Sequence, residues 1–261
     1  MSEFEISTLS EKSLFGDGVI KVLRGIKNRW AVEKLCPELR HAAQCIAEGK
    51  ASLLPGLGVY VVLLDGNNGK IVEEMRVAKG RRPEQREATV VPPKKLFELV
   101  DFPLLKELNP RITKKVITDM YRVHPCGLIL PCREEVVPER LITPHRINGR
   151  EIPTIMNIWL ARYRIFKILW EQISRYPDVL LAGSSANLTG LNSPLTFDEA
   201  YPYLSAFVAS AVRDPGESDH FYKGSHTVFN LIKNPVEKVR DGSVHSENHP
   251  EEYQKFIRIF S

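Results

Sequence analysis

Apolar positions fall into two kinds of run along this chain. Short unbroken runs bounded by Gly, Pro, Asn or Asp read as buried strands, and apolar residues three and four apart read as helices with one buried face. Between Pro37 and Gly49, the positions Leu39, Ala42, Ala43, Cys45 and Ile46 have helical spacing, with Gly49 as the stop. Leu53-Leu54-Pro55 leads into Gly58-Val59-Tyr60-Val61-Val62-Leu63-Leu64, the strongest strand signal, closed by the turn Asp65-Gly66-Asn67-Asn68-Gly69. A short helix is expected over Ile71 to Ala78. Residues 92–123 carry local helical signals with a basic, solvated face, and Leu128-Ile129-Leu130-Pro131 is a second strand. Thr143 to Pro153 reads as a polar loop. Residues 155–174 read as one apolar helix through Ile158, Trp159, Leu160, Phe166, Ile168, Leu169, Trp170 and Ile173, and Arg162, Arg164, Lys167 and Glu171 keep it out of a bilayer.

Val179-Leu180-Leu181-Ala182, entered from Tyr176-Pro177-Asp178, is a further buried strand. Thr196-Phe197-Asp198-Glu199 has the spacing of a capping box, opening a helix whose expected face is Leu204, Phe207, Val208 and Ala211. Thr227 to Ile232 is another strand, and Pro250, Glu251 and Glu252 open a terminal helix through Tyr253, Phe256, Ile257 and Phe260. Strands and helices interleave without an internal repeat, which predicts the α/β class with one main domain. The expected organisation is an N-terminal extension at residues 1–36, the main domain at 37–245 and a C-terminal helix at 246–261.

Composition narrows the function classes. A chain of 261 residues buries a substantial core, and a net charge of +4 permits nucleotide or nucleic-acid binding without demanding it. No apolar run reaches the length of a membrane span, and Met1-Ser2-Glu3-Phe4-Glu5 lacks the basic and apolar regions of a secretory signal, so the expected location is cytoplasmic with no membrane partner. Cys36, Cys45, Cys126 and Cys132 form no C-x-x-C pair. His124, Cys126 and Cys132 lie close together but lack a fourth ligand and metal spacing. They read as buried thiols beside a strand, with no metal site expected.

Four segments carry polar chemistry. Ser184-Ser185-Ala186-Asn187 sits where the chain leaves the carboxyl end of the predicted strand, the place where α/β folds bind ligands. Ser185 and Asn187 both donate and accept hydrogen bonds, as a phosphate, ribose or carbonyl requires. Lys79-Gly80-Arg81-Arg82-Pro83-Glu84-Gln85-Arg86 sets four cations against one anion. It reads either as a grip for a triphosphate or bicarbonate, or as a solvated basic loop. Gly224-Ser225-His226-Thr227-Val228 brings two hydroxyls to a strand start, and Arg240-Asp241-Gly242-Ser243-Val244 follows.

Together and in this order, the segments resemble the YrdC-like family, the threonylcarbamoyl-adenylate synthases of tRNA modification. The family pattern appears as Val59-Tyr60, Lys79-Gly80-Arg81, Leu128-Ile129-Leu130-Pro131, Ser185-Ala186-Asn187 with Thr189-Gly190, Ser225-His226-Thr227-Val228 and Arg240-Asp241-Gly242. Asn192-Ser193-Pro194 and the capping box after it also match. The resemblance implies a twisted mixed sheet flanked by helices around a large basic cavity. It implies ATP, Mg2+, bicarbonate and an amino acid, L-threonine by default, giving a threonylcarbamoyl-AMP-like product and pyrophosphate. In that scheme Lys79 and Arg81 are catalytic, Ser185, Asn187, Ser225 and Arg240 bind nucleotide, and Tyr60 and Thr227 bind substrate. Positioning and electrostatics dominate such phosphoryl-type transfers, so no covalent nucleophile is required. Contact with tRNA would run through partner proteins.

The chain departs from the pattern at definite places. The family's P-T-[DE]-T-x-Y-G-L strand becomes Leu54-Pro55-Gly56-Leu57-Gly58-Val59-Tyr60-Val61-Val62, without the two threonines that help bind the amino acid. The phosphate-gripping Arg of T-V-[AG]-V-R has no clear counterpart near Thr154 to Trp159, with Arg146 and Arg150 as substitutes. Arg82 is inserted after Arg81, and His226 enters S-T-V. A divergent member with a different amine substrate is one reading. A non-catalytic nucleotide- or double-stranded-RNA-binding module using the basic residues at 79–86 and 111–122 is another.

Overall fold

The computed structural model describes residues 34–82, 84–123, 125–160, 163–215 and 224–242. The N-terminal extension up to residue 33 and the expected C-terminal helix lie outside the described residues. Ten strands form one mixed sheet: β1 (Ala51–Pro55), β2 (Tyr60–Asp65), β3 (Ala88–Thr89), β4 (Cys126–Pro131), β5 (Thr143–Ile147), β6 (Arg150–Trp159), β7 (Leu181–Ser185), β8 (Val208–Ala211), β9 (Thr227–Asn230) and β10 (Glu237–Arg240). Their order is β10-β9-β4-β6-β3-β7-β2-β1-β8, with β5 on β6. The helices are α1 (Cys36–Ala47), α2 (Gly69–Ala78), α3 (Pro93–Leu99), α4 (Phe102–Leu108), α5 (Lys114–Val123), α6 (Arg164–Ile173) and α7 (Phe197–Leu204).

Local chemistry accounts for the elements that the pattern predicts. Asn68 caps α2 by accepting from the Lys70 and Ile71 amides. The capping box of α7 is complete, Thr196 accepting from the Glu199 amide while the Glu199 carboxylate accepts from Thr196. The faces of α1 and α6 join one continuous core with β1, β2, β4 and β7. Cys126 and Cys132 are buried in that core, and burial pushes both thiols up, Cys132 to about 12.

Four expected elements are corrected. The polar loop at 143–153 is the hairpin β5–β6, turned at Asn148-Gly149, where both residues have positive φ, of 49° and 79°. That is the geometry of a two-residue hairpin turn, and Asn-Gly is its usual sequence. Half-exposed edge strands carry polar residues, which hid the pairing. The helix expected over 155–174 splits, with strand up to Trp159 and helix only from Arg164. An unbroken apolar run does not by itself distinguish a mid-sheet strand from a buried helix. The helix opened by Thr196 stops at Leu204, and Val208 to Ala211 instead pair in parallel with β1, itself a strand that the sequence reading passed over. Finally, β7 extends through Ser184 and Ser185, whose partners on β2 are Val62 and Val61. These serines therefore lie inside a strand and not in the loop after it.

Asn157 fastens the middle of the sheet. It is fully buried on β6, its Oδ1 accepts from the Thr89 hydroxyl at 2.9 Å and the Val91 amide at 3.1 Å, and its Nδ2 donates to Val91 O and the Tyr121 hydroxyl. Replacing Asn157 with Leu removes the side-chain partner of the buried Val91 amide and carbonyl, each worth about 1–3 kcal/mol when left unpaired. The Thr89 hydroxyl keeps Met156 O, and the Tyr121 hydroxyl keeps the backbone carbonyl at 157. The expected outcome is a fall in stability of at least ~2 kcal/mol, read as a lower urea midpoint at unchanged slope.

Candidate functional site

The site grows from the end of α2. Gly80 takes φ +60°, the Gly80 amide donates to Val77 O, and the Arg81 amide donates to Arg76 O at 2.9 Å. This is the glycine-closed helix end in which the left-handed residue turns the chain back. It leaves Lys79 pointing inward and Arg81 pointing to the cleft.

Lys79 is 1% exposed. Its Nζ donates to Ser184 Oγ at 2.6 Å and to the Ser185 carbonyl. The Lys79 carbonyl in turn accepts from the Thr189 amide at 2.9 Å, so the loop after β7 is tied to the same turn. Burial, with the Arg81 charge adding and Glu87 opposing, draws the Lys79 ammonium down to about 7. Arg81 Nη1 meets Glu87 Oε2 at 2.5 Å, and the Glu87 side chain is fully enclosed. The ion pair holds the guanidinium against the cleft wall.

The hydroxyl segments complete the site. Ser185 Oγ donates to Asn187 Oδ1 at 2.5 Å, and Asn187 Nδ2 donates to the carbonyls of Leu188 and Leu191, folding the loop into a fixed curl. Arg240 Nε and Nη2 both donate to His226 O, at 3.2 and 2.9 Å, which brings the edge strand β10 to the segment Ser225–Thr227. Gly242 allows that approach, because a Cβ there would sit 2.3 Å from the Thr227 nitrogen. His226 is buried, and its Nε2 donates to Gly56 O at 3.1 Å.

Two connected spaces result. An outer cleft of about 970 Å³ is lined by Arg81, Ser185, Asn187, Ser225 and Arg240 together with the loop Leu191–Leu195 and Tyr203. An inner chamber of about 110 Å³ opens from it, and the two share Arg81, Ser185, Ser193, Ser225 and Arg240 at their junction. Of the residues expected from sequence, Arg81, Ser185, Asn187, Ser225 and Arg240 thus converge on one opening. Lys79 reaches it through Ser184 and Ser185. Tyr60 and Thr227 line neither space. The Tyr60 hydroxyl accepts from the Asp214 amide at 2.9 Å, and Thr227 Oγ1 accepts from the Gly242 amide at 3.1 Å, so both brace walls. Ser184 and Ser193 lie in segments that the sequence singles out but without a role of their own, and Glu87 is not singled out at all. Glu87 stands beside the basic run just before β3, and only its ion pair distinguishes it from any surface acid. The basic run does not form one exposed stripe, since Lys79 faces inward and Arg81 is paired.

The chain has the YrdC-like fold, in a divergent form. Sua5 of P. abyssi, solved in complex with L-threonine, is similar at TM-score 0.60 and 22% identity, over 84% of this chain and 57% of that one. E. coli YciO is similar at TM-score 0.58 and 16% identity, over 82% of this chain and 93% of its own. Full-length HypF in its phosphate- and nucleotide-bound form is similar at TM-score 0.57 and 14% identity, over 74% of this chain and 27% of that one. The chain therefore spans a little over half the length of P. abyssi Sua5, 57%. No protein-family model and no curated protein matches the sequence. Among the described residues, no helix is long and apolar enough to cross a membrane.

The enclosed lysine makes stability depend on pH with a definite sign. Below about pH 7 the folded and unfolded chains both carry the charge, and the burial cost is present in full. Between about 7 and the ordinary value of 10.5 the unfolded chain binds the extra proton, so stability rises with pH. Thermal unfolding of the wild type against Lys79→Met should show the difference moving in favour of the wild type from pH 7 to pH 9. A pH-independent difference would contradict the assignment.

Proposed function

We propose that this chain binds ATP in the outer cleft and forms a carbamoyl-adenylate, a threonylcarbamoyl-AMP-like product, from bicarbonate and an amino acid, in the service of tRNA modification. The observation that carries this reading is the junction of the two spaces, where Arg81 and Arg240 face a cleft of about 970 Å³ beside the hydroxyls of Ser185, Ser193 and Ser225. Two guanidiniums and several hydroxyls suit an anion with many oxygens, and the cleft volume suits a nucleotide. Burial disfavours the charged form of Arg240, a cost that a bound phosphate offsets. The likeness to Sua5 with L-threonine and to HypF with phosphate and nucleotide supports the same direction.

The chemistry asks little of the protein beyond position and charge. The amine displaces hydroxide from bicarbonate, giving a carbamate and water. A carbamate oxygen then attacks the α-phosphorus, the bond to the bridging oxygen breaks, and pyrophosphate leaves with the electron pair. Arg81, held by Glu87, and Arg240, held by His226, stabilise the charge that develops during this transfer. Ser185, Asn187 and Ser225 orient the nucleotide. No group of His, Cys, Asp and Glu among the described residues is placed to hold a metal ion. Among the described residues, Glu199 is the carboxylate that lines the cleft, and it is engaged with the Leu195 and Thr196 amides. Mg2+ would be brought by the ATP phosphates as their counterion, as is usual for this ion.

The test is pyrophosphate release from ATP, Mg2+ and bicarbonate with a panel of amino acids, the product being weighed by mass spectrometry. Arg81→Ala and Arg240→Ala are each expected to lower kcat by about 10²–10³, the scale for loss of one preorganised donor. Full activity in both variants, or no carbamoyl-adenylate from the wild type with any amino acid, would overturn the reading.

A further inference from the structure

The three helices α3, α4 and α5 carry charge that the cleft does not use. They join the core through Leu96, Leu105, Ile117 and Met120. Where they meet, Phe97 of α3 and Phe102 of α4 stand edge to face at 5.4 Å, and the Lys114 ammonium of α5 lies over both rings, 5.5 and 4.8 Å from their centres. Both rings are half-buried and Lys114 is exposed. Helical spacing sets the exposed Lys94 beside Phe97, three residues before it, and the exposed Lys106 beside Phe102, four residues after it. Arg111, also exposed, stands in the turn from α4 to α5, three residues before Lys114.

The acids of this segment are already engaged. Glu98 pairs with Lys95 at 2.8 Å, Asp119 with Lys115 at 2.6 Å and with Arg122 at 3.9 Å, and Glu107 with Arg150 at 3.5 Å. Asp101 caps α4 by accepting from the Leu104 amide. Among the described residues, Lys94, Lys106, Arg111 and Lys114 have no acidic partner, so four positive charges surround one aromatic pair. The patch is also remote from the cleft. Cys126 at the start of β4 pairs with Thr227 of the cleft wall, whereas the Asp101 amide donates to Pro131 O at the other end of that strand. From Cys126 to Pro131 the strand spans roughly 16 Å.

We propose that this patch docks an acidic segment of a partner protein, with carboxylates on Lys94, Lys106, Arg111 and Lys114 and an apolar side chain against the rims of Phe97 and Phe102. The inference stands apart from the Proposed function reading, since no residue of the patch lines either space. Charge complementarity names an acidic occupant, and the rings favour a polypeptide over a nucleic acid. Single strands bind by stacking bases on open ring faces. Here one ring packs against the other and Lys114 lies over both. Duplex RNA is read by contacts spread over successive grooves, whereas these cations gather at one helical junction. Each exposed ion pair is worth a factor of only about 1.5–5 in affinity, so binding rests on their sum and weakens as salt rises.

Fluorescence anisotropy of the full chain tests this, with a labelled peptide of repeated Glu-Glu-Leu, a labelled peptide of repeated Glu-Glu-Ser, and a labelled RNA duplex of the same net charge. The Glu-Glu-Leu peptide should bind more tightly than the other two, should weaken at high salt, and should not be displaced by excess ATP. Combining Lys94→Gln, Lys106→Gln, Arg111→Gln and Lys114→Gln should lower its affinity at least about fivefold, with thermal unfolding showing that the variant folds. No peptide binding, displacement by ATP, unchanged affinity in the folded variant, equal affinity for the two peptides, or tighter binding of the RNA duplex would each overturn the proposal.

Discussion

An enclosed ammonium group organises this molecule. Lys79 sits at the closed end of α2 with its Nζ on Ser184 Oγ and the Ser185 carbonyl, and an unpaired cation in that position would carry a heavy desolvation cost. The bonds therefore fix the helix end against the middle of β7. The Thr189 amide on the Lys79 carbonyl extends the tie to the following loop. Segments more than a hundred residues apart, with a separation of 105 between Lys79 and Ser184, become one rigid wall. Arg81 then projects from the wall at a place set by Gly80, and Glu87 holds it there.

A second tie closes the opposite wall. Arg240 on β10 and His226 before β9 join through two bonds to one carbonyl, and His226 reaches across to Gly56 beyond β1. The cleft lies between the two walls, with a cation on each. Loops and strand ends supply the hydroxyls of the outer part, while the inner part sets apolar side chains of β2, β6 and α6 beside Arg86, Ser184 and His226. The fold is shared with Sua5, YciO and HypF at 14–22% identity, so the backbone plan persists across widely different sequences.

Much of the candidate site was legible because its residues are of unusual type for their surroundings. Arg81, Ser185, Asn187, Ser225 and Arg240 stand out as polar groups beside apolar strands, and their order along the chain carried the resemblance. Tyr60 and Thr227 looked alike on those grounds, yet both turn behind the lining. A motif states which residues lie together along the chain, whereas the direction of each side chain depends on register. Glu87 had no signal at all, since an acid after a basic run is ordinary until its side chain is enclosed.

The sequence by itself determined the local events: the caps of α2 and α7, the glycine that ends α2, the runs that became β2, β4 and β9, and the interleaving of strands and helices. These depend on neighbours a few residues away, and a short window contains the whole cause. Only the tertiary structure decided that β1 and β8 pair, that Thr143 to Trp159 form a hairpin feeding the sheet centre, and that Lys79 turns inward. Each of those outcomes requires a partner far along the chain, namely β1 for β8, β4 for β6 and Ser184 for Lys79. Apolar periodicity records that a residue is buried, whereas the partner against which it is buried is chosen by packing.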